Sequence, residues 1–147
     1  MRKIDRILVP VDFEKHTERL VEFAMYMAEK HAAEVALLHI TETFETYAGL
    51  AHPSLDLAAE ELYAYYEKKM VSLVENSKDK YPQCTGKVIK GDTVDEIIAF
   101  AKKENADLII IGTHGAKGIE KIILGSVAER VIRKSPCPTL IFNPYNK

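Results

Sequence analysis

Apolar positions along the chain fall into two alternating kinds of segment. Short, nearly continuous runs occur at 7–11 (Ile7, Leu8, Val9, Pro10, Val11), 35–40 (Val35, Ala36, Leu37, Leu38, His39, Ile40), 87–89, 108–111 (Leu108, Ile109, Ile110, Ile111) and 139–142. Runs of this length, without polar alternation, fit strands buried on both faces of a parallel sheet. Between them lie longer stretches in which apolar residues recur every three or four positions, as on one face of a helix. The first, about 15–31, aligns Leu20, Ala24, Met27 and His31, with Val21 and Ala28 beside them; Thr17 is a candidate cap and Glu14 is favourable near the start. The second, 54–77, aligns Leu62, Tyr66, Met70, Leu73 and Ser77, with Ala58 leading in and Tyr63 and Tyr65 off the stripe. The third begins at Thr93, which with Glu96 matches a capping box, and buries Val94, Ile97, Ile98 and Ala101. The fourth opens at Gly125 and Ser126, carries Ile123, Leu124, Val127, Ala128, Val131 and Ile132 on one face, and stops before Pro136, Cys137 and Pro138.

Regular alternation of strands and helices predicts an α/β chain: a three-layer α/β/α sandwich around a five-stranded parallel sheet. A length of 147 residues fits one domain, 1–147. The stretch 42–53 has no clean period and reads as a surface loop, either closing over a ligand or connecting elements. In open parallel sheets, ligands bind beyond the carboxyl ends of the strands, where the strand order reverses. Asp12, Ile40 and the residues after Ile111 all stand at such ends.

Composition narrows the partners. The net charge of −2 offers no general attraction to nucleic acid or an anionic membrane. No segment reaches the roughly 20 apolar residues of a membrane span. The short basic start (Arg2, Lys3) is followed by an apolar stretch interrupted by Asp5 and Arg6, which does not read as a signal peptide. Cys84 and Cys137 form no C-x-x-C pair, so a reducing, cytoplasmic setting is expected, with each cysteine a small buried hydrophobe rather than a redox centre. His39 reads as a hydrogen-bonded histidine near a strand end rather than a ligand.

Candidate chemistry gathers at 108–127. The fourth apolar run ends in Gly112, Thr113, His114 and Gly115; nine residues separate Gly115 from Gly125 and Ser126, where the last helix begins. Glycines at 112 and 115 permit a sharp turn and close backbone approach. The first amides of a helix have no intrahelical partner and sit at the positive end of its dipole, a setting that favours an anion such as phosphate. Two better-known glycine loops are absent. Lys117 lies five positions after Gly112 and precedes Gly118, so there is no G-x-x-x-x-G-K-[ST], and no G-x-G-x-x-G occurs. Asp12 alone would serve as either a turn-capping aspartate or a carboxylate for sugar hydroxyls.

The spacing G-x-x-G, nine residues, G-[ST] resembles the nucleotide-binding signature of the universal stress protein family, in its ATP-binding branch. The first strand ending V-P-V-D, the second ending L-L-H-I, the G-D turn before the third helix and the S-P-C-P entry to the last strand extend the resemblance over nearly the whole chain. Thr93 stands where proline is frequent, and Glu14 where a serine-like cap is frequent. The resemblance implies strand order 3-2-1-4-5, an adenine nucleotide alpha hydrolase-like fold that faces Asp12 toward Gly112. It implies adenine contacts from backbone around Pro10, Val11 and Ile40 with Ile111 nearby, and ribose on Asp12. Phosphates would be wrapped by Gly112, Thr113, His114 and Gly115, with the amides of Gly125, Ser126 and Val127 and the Ser126 hydroxyl completing the site. The ligand implied is ATP, ADP or AMP, with Mg2+ or Mn2+ bridging phosphates. The function implied is a nucleotide-dependent stress regulator with an unidentified protein partner. It is not an enzyme with an evident catalytic base, His114 being the one candidate by position. The alternatives are a slow ATP hydrolase or phosphoryl or nucleotidyl transferase, and a ligand-free dimeric scaffold. Pairing of the last strand, 139–142, across a two-fold axis would make a homodimer.

Overall fold

The computed structural model describes residues 2–42, 53–113 and 124–145, without the side chains of 53–56. Five strands, β1 (Arg6–Pro10), β2 (Glu34–Thr41), β3 (Cys84–Lys90), β4 (Leu108–Gly112) and β5 (Thr139–Phe142), form one sheet of order β3-β2-β1-β4-β5. Every pairing is parallel. The helices among the described residues are α1 (Thr17–His31), α2 (Pro53–Lys78), α3 (Thr93–Lys103) and α4 (Ser126–Lys134).

The apolar runs explain why the sheet is central. Ile7, Val9, Leu37 and Ile110 turn to one face, where they pack with Leu20, Ala24 and Ala28 of α1 and Met70 of α2. Leu8, Leu38, Ile109 and Ile111 turn to the other, against Val94, Ile97 and Ala101 of α3 and Ala128 and Val131 of α4. Alternate residues of the same strand thus feed two separate cores, the expected three-layer α/β/α sandwich.

Local details differ from the sequence expectation. On α2 the buried side runs through Tyr63, Tyr66, Met70, Leu73, Val74 and Ser77, while Ala58 and Leu62 are exposed. Tyr63 turns inward because its hydroxyl donates to the Val88 carbonyl of β3 (3.4 Å). The cap of α3 is Asp92, not Thr93: its carboxylate accepts from the Asp95 amide (2.9 Å), and Thr93 instead donates its hydroxyl to Glu42. Thr17 does not cap α1 but lies inside it, donating its hydroxyl to Asp12. On α4, Ala128 and Val131 are buried and Val127 half-buried, but Leu124 precedes the helix and, like Ile132, faces outward; Ile123 lies outside the described residues.

The amino-terminal edge of the sheet is tied by polar contacts around Arg6. Its guanidinium meets Glu34 Oε2 (2.8 Å) and donates to the Glu104 carbonyl (2.7 Å), while Asp107 accepts from the amides of Asp5 and Arg6. The opposite edge, at the strand carboxyl ends, is where the chain leaves a hollow.

Candidate functional site

Strands β1, β2 and β3 succeed one another in one direction, then β4 returns to the far side of β1. The helices that follow β1 and β4, α1 and α4, pack on opposite faces of the sheet, and a crevice opens between the carboxyl ends of the two strands. A cavity of about 550 Å3 occupies it. Pro10, Val11 and Asp12 after β1, Ile40 on β2, Ile111, Gly112 and Thr113 on β4, and Gly125, Ser126 and Val127 at the start of α4 all line it. His114 and Gly115 lie outside the described residues, as does Lys117.

Each wall has its own chemistry. Leu20, Leu38, Ile40, Ile97 and Ile111 make it predominantly apolar. On β2, Leu38 accepts from the Val11 amide (2.8 Å) and so addresses β1, while Thr41 accepts from Gly91 and addresses the β3 side. By the alternation of a parallel ladder, Ile40 turns its N–H and C=O toward the β1 column, where β1 has already ended at Pro10. Neither group finds a backbone partner among the described residues, so a donor and an acceptor stand side by side above an apolar floor.

At the β4 end, the Thr113 amide donates to the Phe142 carbonyl of β5 (3.0 Å), and the Thr113 carbonyl accepts from the Gly125 amide (2.8 Å). Two amides expected to cradle phosphate, those of Thr113 and Gly125, are thus already engaged in joining β4 to β5 and to α4. Gly125 is required by contact: a Cβ there would lie 2.7 Å from the Thr113 carbonyl oxygen. Glycine also leaves α4 without a side-chain cap. The first intrahelical bond runs from the Glu129 amide to the Gly125 carbonyl, so the amides of Ser126, Val127 and Ala128 precede the ladder. The α3 start, closed by Asp92, shows the contrast. The Thr113 hydroxyl, buried on the cavity wall, has no hydrogen-bond partner among the described residues. An orphaned buried hydroxyl ordinarily costs about 1–3 kcal/mol, an arrangement that fits a polar ligand group.

Asp12 Oδ1 accepts from the Glu14 amide (2.9 Å) and the Thr17 hydroxyl (3.3 Å). The carboxylate is therefore a turn-closing group, and Asp12 also lines the cavity. His39 is buried, with Nδ1 2.7 Å from the Val11 carbonyl. Because a carbonyl only accepts, Nδ1 carries the hydrogen. Burial lowers the His39 pKa, opposed by the Val11 bond and by Asp12. Burial likewise holds the Cys84 thiol up to about 11 and raises that of Cys137, so neither favours the thiolate.

Other lining residues were not picked out by motif. His16 and Thr17 arrive through the start of α1, and Phe142 and Pro144 through the end of β5. Topology alone signals them: β5 is the neighbour of β4, so its carboxyl end must reach the same crevice. Among the described residues no group of three or more His, Cys, Asp or Glu is placed to hold a metal ion.

Comparison with family models matches residues 3–143 to the universal stress protein family. The chain belongs to that family. Universal stress protein MJ0531 of Methanocaldococcus jannaschii is 31% identical over 143 residues, which are 97% of this chain and 84% of that one. Universal stress protein MJ0577 of the same organism is 30% identical over 155 residues, 96% of each. The solved MJ0577 structure has a TM-score of 0.78 at 29% identity, covering 99% of this chain and 100% of its own. A universal stress protein from Archaeoglobus fulgidus, solved in complex with dAMP, has a TM-score of 0.63 at 22% identity, covering 95% and 98%; at that identity it speaks for the fold alone. These relatives establish a universal stress protein built on the family's sheet.

Proposed function

We propose that this universal stress protein binds an adenine nucleotide, with ATP the foremost candidate, in the crevice between β1 and β4, and that occupancy regulates what the protein presents to a partner. The observation that carries the reading is convergence. The Ile40 backbone edge, which has no backbone partner among the described residues, the Asp12 carboxylate and the α4 start without a side-chain cap line one cavity whose size falls within the roughly 300–1,000 Å3 of small-ligand sites.

Each moiety has a counterpart. A purine presents a flat apolar face and an adjacent donor and acceptor on its rim, which match the apolar walls and the Ile40 N–H and C=O. Ribose hydroxyls donate to Asp12. Phosphates take the amides of Ser126 and Val127, the Ser126 hydroxyl and the α4 dipole, with the Thr113 hydroxyl as a buried donor. The main-chain roles of Thr113 and Gly125 in this reading are structural, for their amides are engaged elsewhere. Mg2+ or Mn2+, when bound, would be held chiefly by phosphate oxygens. We assign no catalytic residue and read the protein as a cytoplasmic binding regulator rather than an enzyme. The A. fulgidus relative in complex with dAMP supports the capacity of this fold for an adenine nucleotide. We further propose homodimerisation through the open edge of β5.

The test is native mass spectrometry of the freshly purified protein, then heat extraction and chromatography of released nucleotide. Retained ATP is the expected result. Retained ADP or AMP would move the reading to slow hydrolysis. A protein that is empty and shows no saturable uptake of added ATP in equilibrium dialysis would end it in favour of a scaffold.

A further inference from the structure

Phe13 has a backbone conformation that its side chain disfavours. Its φ is +60°, the left-handed region that bulky residues rarely enter. It is the central residue of the turn in which Asp12 Oδ1 accepts from the Glu14 amide, so its conformation sets where that carboxylate lies. Strain of this kind persists only where surrounding contacts over-determine it.

The contacts are aromatic and come from two other elements. The Phe13 ring stands edge-on to His39 of β2 (centroids 5.2 Å apart) and stacks on Tyr66 of α2 (5.7 Å); His39 and Tyr66 are themselves 4.1 Å apart. His39 also donates from Nδ1 to the carbonyl of Val11. Asp12 is therefore gripped on both sides: the preceding peptide is fixed by the His39 hydrogen bond, and the following residue by rings packed on the same imidazole.

Resting on the adenine-nucleotide reading, we propose that Phe13 and His39 are positioning residues that set ribose discrimination by holding the Asp12 carboxylate toward the sugar hydroxyls. Phe13 stands behind the cavity, and His39 also lines it. The pair converts a flexible turn into a fixed acceptor, so its loss weakens the sugar contact and leaves the phosphate contacts at α4 intact.

The experiment measures dissociation constants for ATP, 2′-deoxyATP, 3′-deoxyATP and ADP, with melting temperatures, for the wild type and three variants. Phe13→Gly removes the ring and its packing but accepts φ +60° without strain, so the turn itself is not broken, and the melting temperature reports whether the fold holds. Phe13→Tyr keeps the ring. His39→Asn keeps a donor near Nδ1 and removes the imidazole on which Phe13 packs. The wild type is expected to prefer ATP over at least one deoxy analogue by about tenfold, the scale of one hydrogen bond to a charged group. That preference should collapse in Phe13→Gly, shrink in His39→Asn and persist in Phe13→Tyr, with the ATP-to-ADP ratio unchanged throughout. Undiminished discrimination in a folded Phe13→Gly overturns the inference. So does a wild type that binds ATP and both deoxy analogues equally, which leaves the nucleotide reading standing. A wild type that binds no adenine nucleotide overturns both.

Discussion

His39 shows how much one side chain can be asked to do. It is buried, it donates to the Val11 carbonyl, and the groups around it are Asp12, Phe13 and Tyr66. Burial, the largest influence, disfavours its charged form, so its folded pKa lies below the ordinary value of about 6.5. The sign of the linkage follows. Below about pH 6.5 the unfolded chain takes up a proton that the folded chain resists, so the stability present above that pH is lost as pH falls toward the folded pKa. Melting curves between pH 7.5 and 5 should therefore fall more steeply for the wild type than for His39→Asn. Parallel curves would mean that the imidazole protonates freely in the fold.

At the scale of elements, helix ends divide into closed and open. Asp92 closes α3 by accepting from Asp95, whereas Gly125 leaves α4 open toward the cavity. Asp92→Ala should lower stability by about 1 kcal/mol. For a chain of this length that is a fall of roughly 3 °C in melting temperature by calorimetry, with nucleotide affinity unchanged. The apolar runs marked all five strands, most fully β1, β2 and β4, because strands buried on both faces tolerate few other patterns; of β3, whose Thr85, Gly86 and Lys87 are exposed, only the second half was legible. The spacing of Gly112, Gly125 and Ser126 from the fourth run, with Asp12 and Ile40 at the ends of two others, likewise marked the cavity. The misread details each depend on a distance. Leu62 and Tyr63 are adjacent, and the packing of Tyr63 on the core, with its hydroxyl reaching the Val88 carbonyl, sets which one turns inward. Thr93 and Asp92 both precede an acidic residue at capping distance, and chain geometry chose the aspartate. The engagement of the Thr113 and Gly125 amides could not be read from a motif, since their partners lie on other elements.

On the scale of the whole molecule, the sheet has one edge at β5, whose four residues are all half-buried. Pro138 and Phe142 offer their carbonyls to β4, so by alternation Ile141 directs its own N–H and C=O outward. Ile141→Pro removes the outward donor while leaving the carbonyls of Pro138 and Phe142 to β4, and proline is tolerated on an edge strand. If two copies pair here, light scattering at micromolar concentration should give a dimer mass for the wild type and a monomer mass for the variant. An unchanged mass would remove β5 from the interface.

Thr113 gives this edge a further meaning. Its amide is fastened to Phe142 on the outermost strand, its carbonyl to Gly125 at the cavity rim, and its side chain is buried beside the cavity. One residue is thus a rivet through three plates. Thr113 therefore joins the strand where dimerisation is proposed to the rim of the cavity where a ligand is proposed. If a second copy pairs along β5 and a ligand occupies the crevice, any coupling between their affinities through this joint must be equal in both directions.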